Sequence, residues 1–289
     1  MVSRCGGSTP ASPSPTPPNI PGPGSGSPAP PATLVGAGDI GQCGSPAVAA
    51  TALLIDRISG VVFTTGDNAY PNGSASNFRD CYEPHWGRHR ERTRPTPGNH
   101  DYDTGGAAAY YSYFEDNAGP FGLGYYSYMA GPWRVVALNS EIAAGAGSAQ
   151  LQWLRSELTA STSRCTMVYW HKPLFSSGPN GPNRDMREIW RVLYDLNVDL
   201  VINGHDHLYE RFGPQDPDGR PDPARGIRQI TVGTGGGTLY TPITSAPNTE
   251  AIGIVFGVLK LTLSDGSYQW EFLPIPGASF SDGGIGQCH

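Results

Sequence analysis

TLVGAGDIGQCGSPAVAATALLIDRISGVVFTTGDNAY, residues 33–70, is the stretch that decides the fold. Thr33–Ala37 is a short apolar run closed by Gly38-Asp39, the pattern of a buried strand. Ser45 as N-cap and Pro46 at the first helical position then open a helix, along which Val48, Ala52, Ile55 and Ser59 recur at helical spacing. Val61–Thr65 reads as the next strand and stops at Gly66-Asp67. The unit is β-α-β with an Asp at the C-terminal edge of each strand, where open α/β sheets place their ligand sites.

The same arrangement recurs downstream. Three more polar clusters follow apolar runs: Gly98-Asn99-His100-Asp101, Val168-Tyr169-Trp170-His171 and Gly204-His205-Asp206-His207. The spacing predicts a helix over Ser148–Leu158 with Leu151, Leu154 and Leu158 inward, and a strand Thr166–Trp170 ending at His171. A helix Arg184–Leu196 and a strand Asp199–Ile202 ending at Gly204-His205 come next. The last third alternates, in Gln229–Val232, Gly253–Thr262 and Tyr268–Phe272, and predicts a second, more antiparallel sheet. Asp39, Asp67, Tyr70, Asn99, His171, His205 and His207 thus gather at strand ends as oxygen and nitrogen donors. They are too many polar groups to bury without a partner and enough to hold two metal ions. Two ions about 3.5 Å apart need one ligand that spans both, and a carboxylate does this best, which makes Asp67 the bridging residue. A metal-bound water then becomes the nucleophile.

Composition limits the alternatives. The chain has 289 residues, of which 38% are hydrophobic, enough for one large α/β domain. A net charge of −6 and a pI near 5.6 leave no basic excess for a nucleic-acid or anionic-membrane surface. The nearest basic run, Arg88–Arg94, is broken by Glu91 and reads as a solvated helix face. Residues 6–31 are almost wholly Gly, Ser, Thr, Pro and Ala, which predicts a disordered tether over 1–32 ahead of the catalytic domain 33–289. No apolar run is long enough for a leader or a membrane span. Cys5 ahead of this tether resembles the lipid-modified Cys of a bacterial lipoprotein, an expectation of an exported, extracellular or cell-surface protein whose leader is not seen. Setting Cys5 apart leaves four cysteines with three connectivities; Cys43–Cys81 and Cys165–Cys288 are the expected pairs, against free buried thiols.

Read in order, D-x-G, G-D-x-x-Y, G-N-H-D, V-x-x-H and G-H-x-H resemble the calcineurin-like metallophosphoesterases, and within them the purple acid phosphatases. The resemblance implies a four-layer α-β-β-α sandwich of two mixed sheets. It also implies that Asp39, Asp67, Tyr70 and His207 hold a first metal, ferric iron in purple members. Asp67, Asn99, His171 and His205 would hold a second, divalent iron, zinc or manganese. His100 would be no ligand but would meet the phosphoryl oxygen or the leaving group. Tyr70 marks the subfamily, because a phenolate on Fe(III) gives the purple colour. The protein phosphatase branch resembles G-D-x-x-D-R-G at this cluster, where Tyr70-Pro71-Asn72 stands instead. The reaction so implied is hydrolysis of a small phosphomonoester by a metal-bound hydroxide, with Asp67 and His100 central. A phosphodiesterase acting on nucleotides or glycerophospho-compounds and a non-catalytic tethered module are the alternatives. Asp101 is expected to orient loops, and Gly233–Gly237 to form a tight loop near the site.

Overall fold

The computed structural model describes residues 29–289. Cys5 and nearly all of the expected tether lie outside the described residues. Strands β1 (Ala32–Ala37), β2 (Val61–Thr65) and β3 (Thr93–Thr96) run parallel. The chain then crosses to a second sheet made of β4 (Tyr126–Ala130), β5 (Trp133–Ala137), β6 (Cys165–Tyr169), β7 (Leu200–Asn203), β8 (Tyr209–Phe212), β9 (Arg228–Val232) and β10 (Thr249–Gly253). It returns to the first with β11 (Gly257–Ser264), β12 (Ser267–Pro274) and β13 (Asp282–Gln287). The sheet orders are β13-β12-β11-β1-β2-β3 and β10-β8-β9-β7-β6-β5-β4, and both mix parallel and antiparallel pairs.

Strand periodicity assigns each face. Met167 and Tyr169 of β6, with Leu200 and Ile202 of β7, point into the core between the sheets and join Leu34, Phe63, Leu259 and Leu261. Val168 and Val201 point the other way, onto Leu151, Leu154, Ile189, Trp190 and Leu193 of the helices Ala149–Ala160 and Arg187–Asp195. Phe63 against Tyr169, at 6.0 Å between ring centroids, and Tyr209 against Phe272, at 4.5 Å, fasten one sheet to the other. Two disulfides, Cys43–Cys81 and Cys165–Cys288, realise the expected pairing.

Four sequence expectations need correction. The first helix spans Pro46–Ile55, so Ser59 lies beyond it. The reason is Arg92, whose guanidinium takes the carbonyls of Ile55, Ile58 and Gly60 and so caps the turn into β2. Arg88–Arg94 is a solvated helix face only in part: a 3-10 helix over Gly87–Arg92 exposes Arg88 and Glu91 and runs straight into β3, with Arg88 on Asp56 at 2.6 Å. Gly253–Thr262 is two elements, β10 and β11, in different sheets. Nor does the last third form a sheet of its own. β11 pairs with β1, from Ala32 opposite Leu263 to Gly36 opposite Leu259, because alternation reveals a half-buried strand without revealing its partner.

Candidate metal centre

Five strand ends supply the site. Asp39 follows β1, Asp67 and Tyr70 follow β2, Asn99 and His100 follow β3, His171 follows β6, and His205 and His207 lie between β7 and β8. The loops are tied by backbone bonds: Asp39 N–H to the Gly66 carbonyl at 3.0 Å, Gly204 N–H to that of His171 at 3.0 Å, and Gly237 N–H to that of Asp39 at 2.7 Å. Asp39, Asp67 and His205 take φ values of 60, 50 and 72°, left-handed backbone that non-glycine residues adopt at a cost. Gly66 must be glycine on two counts, since its φ is 85° and a Cβ would come within 2.6 Å of the His171 ring.

The donors fall into two groups that share one atom. The Tyr70 hydroxyl lies 3.0 Å from Asp39 Oδ1, 3.2 Å from Asp67 Oδ2 and 3.0 Å from His207 Nε2. His171 Nε2 lies 3.3 Å from the same Asp67 Oδ2, 3.1 Å from Asn99 Oδ1 and 3.1 Å from His205 Nδ1. All seven expected ligands are therefore brought together, with Asp67 between the groups. His171 Nδ1 sits 2.8 Å from the Thr65 carbonyl and His207 Nδ1 sits 2.7 Å from that of Thr238. A carbonyl only accepts, so each Nδ1 carries a proton and each Nε2 faces the centre, where a bound metal would take its lone pair.

This set fits cations. Tyr70 has one proton to give and three acceptors in range, and the second group is carboxylate, amide oxygen and two imidazole nitrogens. Asp39, Asp67 and His171 are fully buried, so the shortage is not made up by bulk water. Protons alone satisfy it poorly. Burial opposes ionisation of Asp67, yet the His171 imidazolium beside it holds the carboxyl below the usual range. Burial likewise opposes charge on His171, but Asp67 outweighs it and lifts the imidazole to about 10. Burial and the positive charge of His171 then drive His205 down to about 3. Burial and the Asp39 and Asp67 charges keep Tyr70 a phenol well above its ordinary pKa, so it ionises only against a strong cation.

His100 stands outside the two groups. Its Nε2 is 3.9 Å from Asp67 Oδ2, while Nδ1 is 2.6 Å from the Pro71 carbonyl and 3.4 Å from Asp103 Oδ2. Asp101 also lies outside them: buried, it accepts from the backbone N–H of Gly98 at 2.9 Å and of Asn68 at 3.1 Å, joining the β2 and β3 loops. Gly233–Gly237 is a tight loop packed on Gly38 and Asp39. The sequence reading missed Tyr240, whose ring stacks on His207 at 4.1 Å. Only its closeness to that glycine loop could have signalled it.

The model of the calcineurin-like phosphoesterases matches residues 32–209, well over half of the chain. The chain belongs to the calcineurin-like phosphoesterases. Within this family it is similar to an uncharacterised protein of Mycobacterium tuberculosis, 31% identical over 203 residues, which cover 59% of this chain and 38% of that protein. It is also similar to purple acid phosphatase 15 of Arabidopsis thaliana, 29% identical over 195 residues, with 55% and 37% covered. The chain thus spans about two fifths of the length of these curated relatives. In fold it matches the purple acid phosphatase PPD1 from yellow lupin (Lupinus luteus) seeds with a TM-score of 0.78, at 20% identity over 89% of this chain and 54% of PPD1. The calcineurin-like sandwich of two mixed sheets is thereby shown.

Proposed function

We propose that this chain is a binuclear-metal phosphatase that hydrolyses small phosphomonoesters. The observation that carries the reading is the shared Asp67 Oδ2, 3.2 Å from the Tyr70 hydroxyl and 3.3 Å from His171 Nε2. Asp39, Asp67, Tyr70 and His207 would hold ferric iron, and Asp67, Asn99, His171 and His205 a divalent iron, zinc or manganese. Bound there, the ions supply Lewis acidity, which polarises phosphoryl oxygens and ionises water near neutral pH. The likeness to purple acid phosphatases, together with a Tyr in place among the ligands, supports iron at the first position.

The chain's own residues do the rest. Asp67 fixes the separation of the two groups, and the Thr65 and Thr238 carbonyls fix the imidazole planes of His171 and His207. His100 gives its Nδ1 proton to the Pro71 carbonyl, which orients Nε2 toward the centre. Nε2, 3.9 Å from Asp67 Oδ2, is the atom placed to meet the phosphoryl oxygen or the leaving group. Two disulfides suit an oxidising compartment, which supports an extracellular or cell-surface location. Among the described residues no helix is long and apolar enough to cross a membrane, and a lipid anchor at Cys5 remains part of the proposal. The reading is tested by release of inorganic phosphate from phenyl phosphate before and after chelation, with restoration by added metal. Turnover that chelation leaves untouched contradicts it.

A further inference from the structure

The centre opens into a cleft of about 360 Å³ walled by Gln42, Tyr70, Pro71, His100, Thr238 and Tyr240. That is the volume of a small-ligand pocket. Among the described residues, no Lys, Arg, Asp or Glu lines it. The cation that follows His171 in sequence, Lys172, lines a separate cavity and is engaged there by Glu141 at 2.6 Å. A second anionic group on a substrate would find no Lys or Arg counter-charge in this cleft.

Tyr240 supplies what the cleft does offer. Its ring lies on the His207 imidazole at 4.1 Å between centroids and 7° between planes. The segment that carries it cannot swing freely: Tyr240 N–H donates to the His207 carbonyl at 2.9 Å, and Thr238 N–H to Gln42 Oε1 at 2.9 Å. At Gly237 a Cβ would come within 2.9 Å of the His207 ring, so the backbone wraps the imidazole closely. The result is a preorganised aromatic surface bordering the place where a leaving group must sit.

We propose that Tyr240 is a specificity-determining residue, the surface against which a planar, uncharged leaving group, aryl or nucleoside, lies while the phosphoryl group occupies the metal centre. The inference rests on the phosphomonoesterase reading. It sets the substrate class as monophosphates of flat alcohols, and disfavours polyanionic esters.

Non-hydrolysable ligands test it apart from turnover. Calorimetry on the metal-loaded full chain would compare phenylphosphonate with methylphosphonate. Phenylphosphonate should bind at least about fivefold tighter, the gain expected of one aromatic stack. Tyr240→Ala should abolish that preference and Tyr240→Phe should keep it; para-carboxyphenylphosphonate should bind the unmodified protein no tighter than phenylphosphonate. Equal loss of both ligands in Tyr240→Ala, an unchanged preference in that variant, no preference in the unmodified protein, or tighter binding of the carboxylated ligand would each overturn the proposal. A retained preference without turnover of any phosphomonoester would instead sink the phosphatase reading and leave the aromatic surface in place.

Discussion

At the scale of single residues, His100 and Tyr70 have separable signatures. His100 touches no group that its removal would leave without a ligand, so His100→Ala should keep both metals and lose roughly 10²–10⁴ in rate, the range for a positioned proton donor. Metal analysis beside turnover of an alkyl phosphate checks this, and loss of metal would make His100 a ligand. Under the proposed assignment, Tyr70 would carry the colour. With ferric iron bound, the protein should absorb broadly in the visible, and Tyr70→Phe should remove that band while Asp39, Asp67 and His207 still hold the ion more weakly. A spectrum unchanged in Tyr70→Phe would remove the phenolate from the first metal. The seven candidate ligands were legible because each lies in a polar cluster that follows an apolar run, four of them (Asp39, Asp67, Asn99 and His205) directly after a glycine. Tyr240 was not, since one tyrosine among the aromatics of this chain has no pattern to mark it until the glycine loop folds onto His207.

At the scale of elements, the loop after β6 is secured from behind by a buried acid. Glu210 in β8 accepts from the backbone N–H of Ser177 at 2.9 Å, and also from the hydroxyls of Ser177 and Thr249. Burial is the main influence on this carboxyl and pushes it above its ordinary 4.5 despite those bonds. An acid whose folded-state pKa is raised contributes stability in full below its unfolded value and loses it as pH rises through the folded one. Thermal melts should therefore show the wild type losing stability relative to Glu210→Gln as pH climbs above about 4.5; parallel pH profiles for the two proteins would show that Glu210 does not titrate this way. The same scale shows where sequence reading fails. β1, β2 and β7 were readable because β-branched or apolar runs end in glycine and a candidate ligand, and β6 because its run ends at His171, whereas β3, Thr93–Thr96, contains Pro95 and follows an arginine-rich 3-10 helix. Its place beside β2 comes from Arg92 capping the preceding helix, a contact over more than thirty residues that no local pattern encodes.

At the scale of the whole molecule, two sheets hold one site because the tail closes back on the second sheet. The Cys165–Cys288 disulfide, 123 residues apart in sequence, joins the start of β6 to the segment after β13 in the first sheet. Replacing both cysteines by serine should cost about 2–5 kcal/mol of stability. Chemical denaturation would measure it, and an unchanged midpoint would mean that sheet packing alone keeps the tail in place. The central claim concerns the joint between the sheets, where Asp67 from the first meets His171 and Tyr70 on either side. Metal content per chain, measured on wild type, Asp67→Ala and Asn99→Ala after equal loading, tests it most directly. The account requires two ions in the wild type, loss of both in Asp67→Ala and retention of one in Asn99→Ala; two ions still bound to Asp67→Ala would contradict it.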